Sequence, residues 1–327
     1  MAMRSEMIGK PLEGFAEYVR AAAAEGAVLL KNEGGVLPLK KGERIAVFGR
    51  TQTDFYRSGT GSGGSVNVEY TTNLLDGLRD GGVVQVDEEL AAVYAAWLEE
   101  HPFDDGGGIW AGEPWNQQEM AVSQELVRAA AQRADKALIV IGRTAGEDRD
   151  YQAAEGSYLL TRQERDMIRK VTACFEKTVV VMNVSNIIDM SWLEEDYAHP
   201  VSGVIYVWQG GIEGGNAAAD VLTGKVTPSG KLTDTIAWKL EDYPSHANYG
   251  SSRKNVHQED IYVGYRYFET FCPEKVQFPF GYGLSYTSFR VRPLGAVCRD
   301  GKLSVTAEVE NTGTEYSGRE VVQVYVE

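Results

Sequence analysis

Ala137–Gly142 (ALIVIG), running straight into Arg143–Asp150 (RTAGEDRD), is the stretch that decides the fold. An uncharged apolar run that ends on glycine and opens into a polar loop has the character of a parallel strand buried on both faces, seen at its carboxyl end. The pattern recurs on either side, in Arg44–Gly49 (RIAVFG), Thr178–Val184 (TVVVMNV) and Val201–Trp208 (VSGVIYVW). Between these runs, Asn116–Arg133 and Thr161–Phe175 are compatible with helices. Ahead of them Phe15–Val28 (FAEYVRAAAAEGAV) reads as an alanine-rich helix, and LLKNEGGVLPL as a short extended segment broken by Gly and Pro. Strand and helix alternate, which predicts an α/β fold with a mostly parallel sheet and helices on both faces. In such sheets ligands bind in the crevice at the carboxyl ends of the strands. The polar segments after each strand, Gly49–Thr51, Gly142–Glu147, Asn183–Asn186 and Trp208–Gly211, are therefore the first candidates for a site.

The pattern changes after about residue 240. Tyr243–Gly283 carries Pro244, Pro273, Pro279 and many aromatics without a helix or strand period, and reads as an ordered, aromatic-rich connector. From Phe289 the residues alternate: KLSVTAEVEN, a turn at Thr312-Gly313, then REVVQVYV, an antiparallel hairpin of β-sandwich type. The expected division is thus 1–240, 241–285 and 286–327. About three strands fit in the last piece, roughly half of a seven-stranded sandwich. The apolar strand at Val326-Glu327 would leave an unpaired edge, so the sequence is expected to be part of a larger polypeptide.

Composition narrows the function. A chain of 327 residues with 47 Asp+Glu against 32 Lys+Arg has a formal charge of −15, which repels phosphate backbones and anionic lipid; no nucleic-acid or membrane partner is expected. The apolar runs are far shorter than the roughly 20 residues a membrane span needs. Cys174, Cys272 and Cys298 are scattered, with no CxxC, and His101, His199, His246 and His257 have no ligand spacing, so neither a disulfide framework nor a metal site is expected. The start of the chain lacks a secretory apolar stretch, making the cytoplasm the expected location unless a leader has been removed.

Several motifs need weighing. Gly59–Gly64 (GTGSGG) satisfies GxGxxG, but it lies about nine residues past its strand, whereas a pyrophosphate cradle needs the glycines in the turn directly after it. It reads better as a glycine loop at a pocket rim. No GxSxG is present for a serine nucleophile. The sequon Asn183-Val184-Ser185 sits at a strand end, where burial explains it. Gly146–Glu155 (GEDRDYQAAE) is the densest ionisable cluster where the sheet expects a site; one carboxyl there, raised by burial or by its carboxylate neighbours, would serve as a proton donor, as in glycoside cleavage. The competing reading is a solvated loop whose Arg143 and Arg149 balance the acids. Trp110, Trp115, Trp192, Trp208, Tyr151 and Tyr158 either stack on sugar rings or pack in the core.

The order of blocks AAAEGAVLLKNEGGVLPL, IAVFGR, SGTGSGGS, ALIVIGRTAGEDRD, WQGGIEGGNAAADVLTGKVTPSGKLTDTI, YVGYRYFE and FPFGYGLSYTSF resembles glycoside hydrolase family 3, the β-glucosidase family, over Ala21 to Val326. The resemblance implies an (α/β)6 sandwich followed by the start of a fibronectin type III-like domain. It implies retaining, exo-acting hydrolysis of terminal β-D-glucosyl residues without a cofactor, by two carboxyl groups from different domains. By this resemblance the general acid/base would be Glu147, in Ala145–Arg149, which matches the family's SGEGxDR-like stretch although Asp148-Arg149 departs from the commoner Gly-x-Asp-Arg; Glu155 is the nearby alternative. Arg57, Ser62, Trp110, Trp115 and Arg143 are the candidate substrate-binding residues. The Asp nucleophile would come from a (β/α)8 barrel whose usual Ser-Asp-Trp motif is not in this sequence. The barrel would follow in the same polypeptide, as in members with inverted domain order, or belong to a companion chain; a homo-oligomer is also compatible. The alternatives are a β-xylosidase or another family 3 glycosidase, and a non-catalytic carbohydrate-binding or scaffolding subunit.

Overall fold

A computed structural model describes residues 11–64, 66–250, 253–254 and 256–325. At its centre all eight residues of strand β4 (Lys136–Arg143) are buried. Strand alternation sorts its side chains: Ala137, Ile139 and Ile141 enter one core, Leu138 and Val140 the other. The same division holds in β2 (Arg44–Phe48) and β5 (Thr178–Val184), with Ala46, Phe48, Val180 and Met182 on the first face and Ile45, Val47, Val179 and Val181 on the second.

With β1 (Val28–Asn32), β3 (Gln85–Val86) and β6 (Gly203–Tyr206), these strands form one six-stranded sheet in the order β1-β6-β5-β4-β2-β3. All neighbours are parallel except β1, which runs antiparallel to β6. The sheet's edges are short or covered. β3 has two residues, and the outer side of β1 is met by Leu284, whose N–H donates to the Leu29 carbonyl at 2.7 Å.

Helices α3 (Glu88–Glu100), α4 (Gln124–Arg133) and α5 (Arg162–Thr172) cover the first face with Leu90, Tyr94, Val127, Ala130, Met167, Ile168 and Val171. Helices α1 (Phe15–Glu25), α2 (Leu74–Gly81) and α6 (Gly214–Leu222) cover the second. Capping sets the starts that periodicity left loose. Ser123 accepts from the Leu126 N–H, so α4 begins at Gln124 and not at Asn116. Thr161 and Glu164 form a reciprocal capping box that starts α5. The layers agree with the sandwich expected from the alternation of strands and helices. The chain passes from β2 out to β3 and returns to β4 on β2's other side, so the strand order reverses between β2 and β4. The crevice at their carboxyl ends is where such a fold binds ligands.

Beyond the sheet the chain differs from expectation in two places. The connector holds β8 (Val276–Phe278), which pairs with β7 (Ile236–Ala237) just ahead of it, and a short helix α7 (Tyr265–Phe271) whose Phe268 is buried against Tyr243. The hairpin pairs β9 (Phe289–Arg299) with β10 (Lys302–Asn311), not KLSVTAEVEN with REVVQVYV. Asp300-Gly301, both at positive φ (51° and 73°), make the two-residue turn whose twist suits a hairpin, and so join the nearest available strand. Residues 319–325 form no strand; they lie along the body, with Glu320 on Lys231 at 2.9 Å and the Tyr325 ring edge-on to Tyr265. The edge expected at Val326-Glu327 lies outside the described residues. No helix among the described residues is long and apolar enough to cross a membrane.

Candidate active site

The site is built on the ends of β2 and β4. After β2, a short 3-10 turn (Arg50–Gln52) is buried and anchored: Arg50 pairs with Asp54 at 2.6 Å, donates to the Gln118 carbonyl at 2.8 Å and lies over the Trp97 ring. Beneath it, burial pushes the Glu119 carboxyl up to about 8, although the Arg50 and Met120 N–H groups donate to it. Asn183, from the end of β5, then clamps the backbone of Tyr56, accepting its N–H at 2.7 Å and donating to its carbonyl at 3.0 Å. This is the sequon asparagine, fully buried as its position suggested.

The loop after Tyr56 explains the glycine motif. Thr60 N–H donates to the Ala145 carbonyl at 3.0 Å, and Thr60 bridges Gly146. A Cβ on Gly59 would lie 2.3 Å from the Ala145 oxygen, and one on Gly146 2.2 Å from the Thr60 oxygen. The glycines are there so that two backbones can touch, not to cradle phosphate. Gly59→Ala is therefore expected to lower the unfolding free energy by about 1–3 kcal/mol, while Gly63→Ala, with open space around its Cβ, leaves it unchanged. Urea unfolding of the two variants checks this; equal midpoints would remove the close approach as the reason for the motif.

What the glycine loop supports is a two-residue turn. Gly146 and Arg149 exchange backbone hydrogen bonds of 3.0 and 3.4 Å, leaving Glu147 and Asp148 at the tip, with Asp148 at φ 61°. Glu147 is exposed, its carboxylate has no hydrogen bond among the described residues, and its Cβ faces Gly61. The turn is held from the other side by Trp110, whose indole N–H donates to Asp148 at 2.9 Å. Glu155, the alternative acid, instead accepts from the Arg162 N–H at the first turn of α5 at 3.3 Å.

The other expected residues divide. Arg57 and Trp110 line one open cleft of about 600 Å³ between segments 55–67 and 103–113. Ser62 is exposed at the tip of the same glycine loop, outside the cleft walls; Ser65, at the end of that loop, lies outside the described residues. Trp115 donates to the Asp150 carbonyl at 3.1 Å and carries the Arg149 guanidinium over its ring at 4.2 Å, so that ring face is occupied.

Arg143 is a correction. It is fully buried, paired with both oxygens of Glu164 at 2.6 Å, and spends its remaining N–H groups on the Gly142, Ser157 and Leu159 carbonyls. No donor is left for a substrate. It ties the end of β4 to residues 157–159 and to the start of α5.

One group was missed from sequence. Glu113 lines the cleft, and burial pushes its carboxyl up to about 7, opposed by Arg57 and reinforced by Asp105 and Asp104. Its only signal was its place between two tryptophans already singled out, Trp110 and Trp115. The arrangement as a whole can present a carboxyl from a braced turn to something bound beside it, and can hold a polar group in the cleft.

Comparison with known proteins bears on the family and the fold. Residues 27–286 match the glycosyl hydrolase family 3 C-terminal domain. The chain is 50% identical to a beta-glucosidase of Ruminococcus albus over 314 residues, covering 95% of this chain and 32% of that protein. It is 39% identical to beta-glucosidase A of Butyrivibrio fibrisolvens, covering 93% of this chain and 40% of the relative. Among solved structures, a beta-glucosidase from Paenibacillus barengoltzii superposes with a TM-score of 0.93 at 58% identity, covering 95% of this chain and 34% of the other. The chain thus spans 32% to 40% of the length of these relatives.

Proposed function

Because this chain belongs to glycoside hydrolase family 3, through that family's C-terminal domain, we propose that it supplies the general acid/base of an exo-acting β-glucosidase, with Glu147 in that role. The supporting observation is the presentation of Glu147: an exposed carboxyl on a turn braced by the glycine loop and Trp110, beside an open cleft at the point where strand order reverses.

In this reading a carboxylate on a barrel domain, in the same polypeptide or a companion chain, attacks the anomeric carbon of a terminal β-glucosyl residue. As that bond forms and the glycosidic C–O bond breaks, Glu147 gives its proton to the leaving oxygen. Glu147, now a carboxylate, takes a proton from water; the water oxygen bonds the anomeric carbon and the nucleophile departs. Retention requires the two carboxyl groups about 5–5.5 Å apart, so a second domain must close over the turn. Exposed Val66, Tyr70, Phe103, Ile109 and Trp110 support such a cover, since an apolar rim around a cleft marks an interaction surface.

The test is reconstitution. The 327-residue chain alone is expected to turn over no aryl β-glucoside, and the complete enzyme with its barrel to release β-glucose first, as seen by proton NMR. Turnover by the isolated chain would refute a site shared between domains.

A further inference from the structure

The turn bearing Glu147 and the cleft share walls. Trp110 lines the cleft and holds Asp148, the residue after Glu147; Gly61 lines it too and lies against the Glu147 Cβ. A proton donor must stand beside the oxygen it protonates, so a group attached to that oxygen extends from Glu147 toward this cleft. The argument therefore rests on the proposed function.

The cleft's polar lining is specific. Arg57 comes from one wall, its Nη2 donating to the Gly64 and Val66 carbonyls at 3.2 and 3.0 Å. Glu113 comes from the other, with no side-chain hydrogen bond among the described residues, in the field of Arg57 and, on its own segment, of Asp104 and Asp105. Tyr56 and Thr60 also line the cleft, with their hydroxyls buried beneath its surface. Phe55, Phe103 and Ile109 supply the apolar surface. Arg57 and Glu113 on an apolar floor fit a sugar, with hydroxyls at its edge and C–H groups on its face, better than a plain hydrocarbon.

We infer that Glu113 is a specificity-determining residue, which hydrogen-bonds a hydroxyl of the leaving group and makes the enzyme favour a second sugar over an aryl group. Its carboxyl titrates near neutrality: below about pH 7 it is neutral and can donate, above that it is an anion facing Arg57. The preference therefore carries a pH dependence of its own.

The experiment compares a glucose disaccharide with 4-nitrophenyl β-glucoside as substrates of the complete enzyme. Glu113→Ala is expected to lower kcat/KM for the disaccharide about tenfold more than for the aryl glucoside, the size of one lost hydrogen bond, and mainly through KM. Glu113→Gln keeps a neutral hydrogen-bonding group; it should retain most of the preference and lose its change across about pH 7. Equal losses on both substrates, or a wild-type pH step kept intact in Glu113→Gln, would overturn the role of Glu113 and leave the proposed function standing. A wild-type enzyme that cleaves neither substrate would overturn both.

Discussion

Glu147→Ala in the complete enzyme is expected to cut kcat/KM about 10²–10⁴-fold on β-glucosides with alkyl or sugar leaving groups, and far less on nitrophenyl glucosides. The range is what a positioned general acid contributes. The asymmetry follows from the leaving oxygen: an alkoxide departs poorly unless protonated as the bond breaks, whereas a nitrophenolate carries its own charge. With the acid gone, the second step also slows, because no carboxylate takes the proton from water; aryl substrates should then accumulate the glycosyl-enzyme and show a burst of nitrophenol. Steady-state kcat/KM across a series of leaving groups and stopped-flow release of the first product check both halves. The same fractional loss for all leaving groups, or a full effect at Glu155 and none at Glu147, would take the acid role away from this turn. The geometry favours Glu147, since Glu155 is already engaged with the start of α5.

Arg143→Met should cost about 3–5 kcal/mol, the penalty for stranding a buried carboxylate. Domains are commonly stable by only about 5–15 kcal/mol, so this single change is expected to bring the fold near collapse. Glu164 is the stranded group: it bonds Arg143 through both oxygens and receives the Thr161 N–H at 2.7 Å. Arg143→Met combined with Glu164→Leu should recover much of the loss, because a buried ion pair replaced by apolar groups of similar size is often neutral. Urea unfolding of wild type, single and double variants checks this. A double variant as weak as the single would mean that the three carbonyls bonded by Arg143, and not the ion pair, hold this region.

These two residues show what was legible in the sequence. ALIVIG announced a strand buried on both faces because a parallel sheet covered by helices has no wet side, and a run without charge has little other place to go. The loop after it announced a site because strand carboxyl ends at a reversal of strand order leave a crevice. Arg143 and Glu147 stand four residues apart in that same stretch, and nothing in their types separates the buried one from the exposed one. Burial is decided by Glu164 and by carbonyls from residues 157 and 159, partners that no linear pattern reveals. One face of the Trp115 ring is likewise taken by a partner, Arg149, that its residue type does not reveal. Glu113 escaped notice because its environment is assembled from two segments about fifty residues apart. The hairpin was misassigned through a neglected local rule, the preference of Asp-Gly for a two-residue turn.

The two ends of the large sheet carry a consequence for company the chain keeps. A passing extended peptide adds to a sheet by docking on a free row of backbone donors and acceptors. At β3 that row is only two residues long, and at β1 Leu284 already occupies part of it. The long ribbon β9–β10 has ten or eleven residues per strand and bears exposed Val291, Leu303, Val305 and Val309. Strand addition to the large, mostly parallel sheet is thus restricted at both of its edges.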